Sequence, residues 1–415
     1  MYLTRRVCVF GLSALSLSAC MGGGVGMSTR PPAPMRPQPN PAFDDWKTQF
    51  RGRAVAAGIR PEVVDPALRG AGFLPDVVAR DRRQAEFTRT FEDYITAIAV
   101  TDERLAAGRA AMARHTGTLR AIEARYGVDA ATLTAIWGLE SRYGTERGDV
   151  PVISALATLA FDGRRGAFFE RQLLAALRIL QRGDTTAANM RGSWAGAMGH
   201  TQFIPTTYPD YAVDFTGNGR RDIWAADPSD ALASAANYLS RMGWRQGQPW
   251  GLEVRLPEGF DTGLAGRSTT RSAAQWAAMG VARMGGGALP DHGAASVILP
   301  DGPRGPAFVV YRNFSAILRY NNSEFYAIAI GHLADRLRGG GPIRGDFQPD
   351  RHGLRLADRA EMQRLLTRAG FDTQGVDGVI GPNSQTAIEA YQRARGLQVT
   401  GQPSRALLEQ LRRGG

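Results

Sequence analysis

Apolar residues recur at helical spacing through most of the chain from Phe43 to Leu337. That periodicity predicts helices over 43–57, 84–97, 102–126, 129–141, 152–161, 166–182 and 230–242. The pattern changes between Leu252 and Arg312, where 253–256, 295–299 and 307–311 are short β-rich runs set off by Gly and Pro turns. Helical spacing resumes over 323–337. After a stretch rich in Gly and Pro at 339–353, three amphipathic helices are expected at 356–369, 384–395 and 404–411. Leu365, Leu366, Ile388, Tyr391 and Leu408 are their core candidates. The expected class is α+β, mainly α: a helical body with a small β insertion over 43–338, a linker over 339–355, and a three-helix unit over 356–413. A unit of that size is marginal but can fold alone.

The N-terminal end has its own pattern. Arg5 and Arg6 precede an apolar run over 7–17 and then Leu17-Ser18-Ala19-Cys20. A basic start, a short apolar core and small residues before a cut are the parts of an export signal over 1–19. The run is too short for a permanent membrane span. Its end resembles a bacterial lipobox, which implies that Cys20 carries lipid and becomes the mature N-terminus. An ordinary signal peptide with an incidental Cys is the plainer alternative, and the arginine pair is only a weak sign of twin-arginine export. Residues 21–28 are Gly-rich, and prolines stand at 31, 32, 34, 37, 39 and 41, so 20–42 is expected to run extended as a tether. The expected location is periplasmic, lipid-anchored to the outer membrane, because Met21 after Cys20 gives no inner-membrane retention signal.

Composition narrows the partners. The 415 residues suggest two or three domains, and 43% hydrophobic content is enough for packed cores. Fifty Lys+Arg against 39 Asp+Glu give a net charge of +11, which favours nucleic acid, a membrane surface or another acidic polymer. An export signal makes nucleic acid an unsuitable partner. The two Cys, Cys8 and Cys20, both precede the body, which excludes a disulfide scaffold or a Cys-based zinc module there. Five scattered His argue against metallohydrolase chemistry.

One carboxylate stands out. Asp129 is a suitable N-cap and Gly144 a suitable stop for a helix whose apolar face carries Leu133, Ile136 and Trp137. The next position on that face is Glu140. A carboxyl continuing a buried stripe is costly unless paired or neutral, and desolvation favours its protonated form, as a proton donor requires. The alternative is a Glu at a fraying helix end, turned to solvent or paired with Arg142 or Arg147. Further on, residues 192–205 alternate small residues with Ser193, Trp194, His200, Gln202 and Phe203, a composition that lets a backbone approach a ligand closely. A tight helix contact is the alternative. Tyr94, Tyr143, Tyr208, Tyr238, Tyr320 and Tyr326 lie near expected helix ends, where aromatic faces with polar tips suit sugar rings or, taken singly, the edge of a core.

Three segments then occur in order: Trp137-Gly138-Leu139-Glu140-Ser141-Arg142-Tyr143-Gly144, Gly196-Ala197-Met198-Gly199-His200-Thr201-Gln202-Phe203-Ile204-Pro205, and Arg319-Tyr320-Asn321-Asn322-Ser323. Together with Asp81-Arg82-Arg83-Gln84 and Phe87-Thr88-Arg89-Thr90-Phe91, they resemble the membrane-bound lytic murein transglycosylase B family over 43–337. The resemblance implies a lysozyme-like domain that cleaves the β-1,4 bond between N-acetylmuramic acid and N-acetylglucosamine, with Glu140 as the single acid/base. It puts Ser193, Gln202, Tyr94, Tyr238, Tyr320, Asn321 and Tyr326 at saccharide-contacting positions, and Arg164 with Arg165 as a basic pair near the groove. Glu92 stands where an aromatic is expected. Two-carboxylate glycosidases place their acids about 5–5.5 or 6.5–9.5 Å apart. Around Glu140 the helix face offers no second acid, since Glu146 and Asp149 lie past Gly144. The implied mechanism uses the muramoyl C6 hydroxyl as nucleophile and leaves a 1,6-anhydro ring.

Gly375-Val376-Asp377-Gly378-Val379-Ile380-Gly381-Pro382-Asn383 and Tyr391-Gln392-Arg393-Ala394-Arg395-Gly396-Leu397 resemble the small peptidoglycan-binding domain of wall hydrolases. The implied partners are peptidoglycan glycan strands, the membrane through the anchor, and wall-synthesis proteins. No cofactor is required by this reading. One calcium loop is a candidate: Asp214, Thr216 and Asn218 offer oxygens at positions 1, 3 and 5, Arg220 a carbonyl at 7, and Asp230 closes the loop in place of the usual Glu. Binding there would be weak and structural, and a metal-free Asx-rich turn is the alternative. A hydrolysing muramidase and a catalytically silent wall-binding scaffold remain the competing functions.

Overall fold

The structure is a computed structural model that describes residues 35–83 and 89–414. The export signal, Cys20 and most of the expected tether lie outside the described residues.

The fold is mainly α. A central helix, Ala130–Ser141, is buried on every side from Ala131 onward, and starts where the Asp129 side chain accepts from the Thr132 amide. The predicted stripe was therefore part of a wholly enclosed helix. Around it pack Asp102–Arg114, Thr116–Tyr126, Ser229–Arg241 and Glu324–Leu337. Their shared core includes Leu133, Ile136, Trp137, Leu239, Phe314 and Ile330. A second core forms among Pro41–Ala56, Pro61–Arg69, Pro75–Arg83, Val152–Asp162 and Gly166–Arg182, with Phe43, Phe50, Leu156 and Leu173 inside. Tyr238 and Tyr320 pack against both cores, so the seam between them runs through the tyrosines.

The β insertion is a four-stranded antiparallel sheet ordered Ala282–Arg283, Gly251–Arg255, Ala307–Val310, Ser296–Ile298. Its own small core holds Val254, Trp276, Val297 and Val309. Three strands match the predicted runs within one or two residues; the short Ala282–Arg283 strand was not foreseen. The C-terminal unit has three helices, Leu356–Arg368, Pro382–Ala394 and Arg405–Arg413, closed over Met362, Leu366, Ile388, Tyr391 and Leu408. Leu365 is only partly buried there.

Four expectations need correction. The helix predicted over 102–126 is two helices, because His115 leaves helical geometry and the Thr116 hydroxyl caps the Met112 and Ala113 carbonyls. The helix predicted over 84–97 falls partly outside the described residues; its described part winds as a π-helix, Asp93–Ala99, whose closing bond runs from the Val100 amide to Ile95. Such widened turns are often found at functional sites. The stretch 339–355, expected as a linker, is docked on the body: the Arg344 and Gly345 amides donate to Glu253, the Gln348 amide donates to Asp301 at 2.6 Å, and Ile343 and Phe347 pack on the main core. The end of the expected tether is also docked, since the Gln38 amide donates to the Phe73 carbonyl and Met35 packs on the second core. Helices Pro61–Arg69, Pro75–Arg83 and Arg312–Tyr320, nine residues each, were missed.

Candidate active site

Glu140 sits in the last turn of the central helix and is only 8% exposed. The helix stops one residue later, because Arg142, Tyr143 and Gly144 all take positive φ (45°, 57° and 87°). Two of these are not glycine, and left-handed backbone at such residues costs of order 1–3 kcal/mol each. The third has to be glycine for a further reason: a Cβ at Gly144 would lie 2.5 Å from His200 Nδ1. The turn swings the chain sharply away and leaves Glu140 at the edge of the packed helix.

Two clamps hold that helix end. On one side, the Trp137 indole N–H donates to His200 Nδ1 at 3.1 Å, and the Ser141 hydroxyl donates to the His200 carbonyl at 2.6 Å. His200 in turn donates from Nε2 to the Ala225 carbonyl at 2.7 Å. Burial lowers the His200 pKa to about 4, so the ring is neutral at pH 7 and Nδ1 is free to accept. On the other side, buried Arg104 donates to the Gly138 carbonyl and, at 3.0 Å, to the Ile98 carbonyl in the π-helix. A cation at a helix C-terminus is favourably placed. Neither His200 nor Arg104 was assigned a role from sequence; the glycine-flanked His in the second motif was the only available hint.

Tyrosines stand close to Glu140. Tyr326, fully buried in the first turn of Glu324–Leu337, donates its hydroxyl to Glu140 Oε1 at 2.6 Å. Burial and then the Glu140 charge push the hydroxyls of Tyr326, Tyr320 and Tyr94 up from their ordinary value, which puts all three within its field. Tyr320 donates to the Thr201 carbonyl at 2.6 Å and Tyr238 to the Arg319 carbonyl at 2.5 Å, with their rings 5.2 Å apart. Phe203 and Tyr211, not singled out from sequence, extend the aromatic wall at 6.2 Å and 4.7 Å from the Tyr238 ring. The nearest carboxylate along the chain, Glu146, pairs with Arg142 at 3.3 Å.

The second motif folds into a tight loop beside this cluster. Ser193 Oγ accepts from the Ala197 amide at 3.0 Å, which leaves its own proton for another acceptor. Gln202, at φ 51°, donates both amide protons, to Arg147 and Gly199 carbonyls, so its Oε1 is the end available to a ligand. Asn321 Oδ1 is buried and meets no donor among the described residues, as a site built to receive one would require. Arg164 and Arg165 form an ion-pair cluster with buried Asp81, and Arg165 also covers the Phe169 ring at 4.9 Å.

The candidate metal loop satisfies itself. Asp214 accepts from the Gly217, Asn218 and Gly219 amides. Asn218 Oδ1 accepts from Arg220, and buried Asp230 accepts from Phe215, Thr216 and Asp222. Backbone amides thus take up much of the acceptor capacity of these oxygens, and no group of three His, Cys, Asp or Glu side chains that could hold a metal ion is found among the described residues. The residues present do not make a strong calcium site.

Residues 42–335 match the family described as transglycosylase SLT domain, and 355–411 match a putative peptidoglycan binding domain. The membrane-bound lytic murein transglycosylase B of Escherichia coli (strain K12) is 36% identical over 215 residues, 50% of this chain. The aligned part spans just over half (56%) of that relative's length. SltB3 from Pseudomonas aeruginosa, solved in complex with NAG-anhNAM-pentapeptide, is 50% identical over 89% of this chain and 99% of its own, with a TM-score of 0.72. Escherichia coli Slt35 in complex with calcium is 30% identical over 72% of this chain and 93% of its own, with a TM-score of 0.61. With its central helix, tyrosine cluster and C-terminal helices all inside these matches, the chain belongs to the transglycosylase SLT domain family and carries a peptidoglycan binding domain at its C-terminal end.

Proposed function

We propose that the protein is a lytic transglycosylase that cleaves the β-1,4 bond between N-acetylmuramic acid and N-acetylglucosamine in peptidoglycan. The observation that carries this reading is Glu140: one buried carboxyl, hydrogen-bonded by a tyrosine, at the end of a helix clamped on both sides. Its first task is to give a proton to the glycosidic oxygen as the bond to C1 breaks. As carboxylate it then takes the proton of the muramoyl C6 hydroxyl, whose oxygen bonds C1 and closes the 1,6-anhydro ring. The proton returns to Glu140, and no water is consumed. Tyr326 fits both states, since its hydroxyl donates to the carboxylate and stays protonated throughout.

Ser193 and Gln202 suit the N-acetyl group, Ser193 donating to its carbonyl and Gln202 Oε1 accepting its N–H. Asn321 Oδ1 suits a sugar hydroxyl, and Tyr94, Tyr238 and Tyr320 present ring faces to the glycan. Arg164 and Arg165, each paired with Asp81, form the basic pair near the groove. That the glycan is the partner is supported by the ligands of the SltB3 crystals and by the +11 charge, since peptidoglycan carries lactyl and peptide carboxylates. The signal-like N-terminus and Cys20 support a periplasmic protein held to the outer membrane by lipid, with wall-synthesis proteins as neighbours. Calcium at the 214–230 loop is weak and structural, given how its oxygens are occupied. Replacing Glu140 by Gln tests the reading: sacculus cleavage should be lost while sacculus binding persists. Cleavage at the wild-type rate would remove Glu140 from the mechanism.

A further inference from the structure

Residues 91–94 are consecutive, and each meets a different part of the molecule. Phe91 packs on Phe347, in the segment leading to the C-terminal unit, with ring centroids 5.8 Å apart. Glu92 Oε2 accepts from the Leu356 amide at 2.8 Å, at the first turn of that unit's first helix. Asp93 pairs with Arg359 of the same helix. Tyr94 packs its ring 5.9 Å from that of Phe325, the residue before Tyr326, whose hydroxyl holds Glu140. The Glu at position 92, unexpected in the sequence, is thus a docking residue that caps a helix of the other unit, with negative charge at the end that favours it.

Arg359 is the hub of this contact. Its side chain is 5% exposed. Nε donates to the Gly378 carbonyl at 2.7 Å and Nη1 to Asp350 at 2.7 Å, while Nη2 reaches Asp93. Gly378 belongs to the turn that marks the peptidoglycan-binding motif. One guanidinium therefore joins that turn to the residue preceding Tyr94. A domain serving only as a flexible wall anchor needs no buried charge pair with its neighbour. Buried pairs add little net stability over apolar packing, and their loss is costly only because the partner charge is stranded; what they can supply is a fixed geometry.

We infer that Asp93 and Arg359 are positioning residues, a latch through which the C-terminal unit fixes Tyr94 beside Glu140, so that this unit supports the chemical step as well as adhesion to the wall. The inference rests on the lytic reading above. The anchor-only alternative raises local concentration on the polymer and leaves turnover of small soluble substrate untouched.

The test uses the full chain with Asp93→Asn, Asp93→Glu and Glu92→Gln, assayed on a soluble tetrasaccharide of alternating N-acetylglucosamine and N-acetylmuramic acid and on sacculi. Displacing a group in the site by about 1 Å can cost up to 10²-fold. For Asp93→Asn, kcat on the tetrasaccharide should fall by roughly 10- to 100-fold, with a smaller change in KM and unchanged sacculus binding. Asp93→Glu should restore most of the rate. If Asp93→Asn does not fold, as judged by its melting curve, Glu92→Gln carries the test, since it keeps the side chain's shape but removes the negative charge that docks the start of the Leu356 helix; its kcat should fall in the same direction. Wild-type kcat on the tetrasaccharide in folded Asp93→Asn or Glu92→Gln, or a loss confined to sacculi, would overturn the latch. A wild-type protein that cleaves neither substrate would overturn the lytic reading and the latch with it.

Discussion

Acid should loosen the catalytic helix through one histidine. His200 is 4% exposed, accepts from the Trp137 indole at Nδ1 and donates to Ala225 from Nε2. A proton on Nδ1 would turn that nitrogen from acceptor to donor, facing the indole N–H, inside a buried site that also holds Arg147 Nη1 at 3.3 Å from Nε2. Burial is the main reason that the folded-state pKa drops from 6.5 to about 4. Because it is depressed, the unfolded chain binds the proton more readily than the folded one between those values. The stabilisation is therefore complete above pH 6.5 and lost as pH falls through about 4. The span from 6.5 to about 4, at about 1.4 kcal/mol per pH unit, amounts to about 3 kcal/mol. The assay is urea unfolding of wild type and His200→Gln at several pH values from 7.5 to 3.5. Carboxylates and His332, whose pKa burial also lowers to about 4, titrate in both proteins and cancel in the difference. The variant should be less stable at pH 7, and the gap should narrow by about 3 kcal/mol on acidification. A gap independent of pH would refute the neutral, buried clamp.

Three other changes probe the same site. Tyr326→Phe removes a hydrogen bond to a charged group, typically about 1.5–3 kcal/mol, so kcat should fall roughly 10- to 100-fold with little change in sacculus binding; unchanged kcat would leave Tyr326 a packing residue. Gly144→Ala forces a Cβ into left-handed backbone and against His200, at a cost of about 2–3 kcal/mol readable as a lower urea midpoint. Millimolar calcium should raise the melting temperature only slightly, and Asp230→Asn should abolish what rise there is. A large shift at micromolar calcium would show that the loop rearranges around the ion.

The sequence made the helical body legible because most of its helices are long and periodic, and Asp129 caps the central one as its position suggests. Glu140 was legible because a carboxyl interrupts an apolar stripe. Its neighbours were harder to read, since Tyr326 lies 186 residues away and reaches Glu140 only through the packing of two helices. A tyrosine suited to a sugar and a tyrosine suited to a carboxylate look alike in one dimension. Arg104, an ordinary basic residue in a helix of low amphipathicity, gave no signal of its burial. The Gly/Pro composition of 339–355 suggested a linker but not its docking, because composition reports backbone freedom, while docking there depends on single backbone amides meeting Glu253 and Asp301.

The central claim is that one carboxyl acts with the substrate's own hydroxyl and without water. Mass analysis of the products from purified peptidoglycan tests it most directly. The account predicts muramoyl ends in the 1,6-anhydro form, one water lighter than hydrolytic ends, made by the wild type and absent with Glu140→Gln. Products bearing a full water at the reducing end would identify a hydrolysing muramidase and contradict the mechanism.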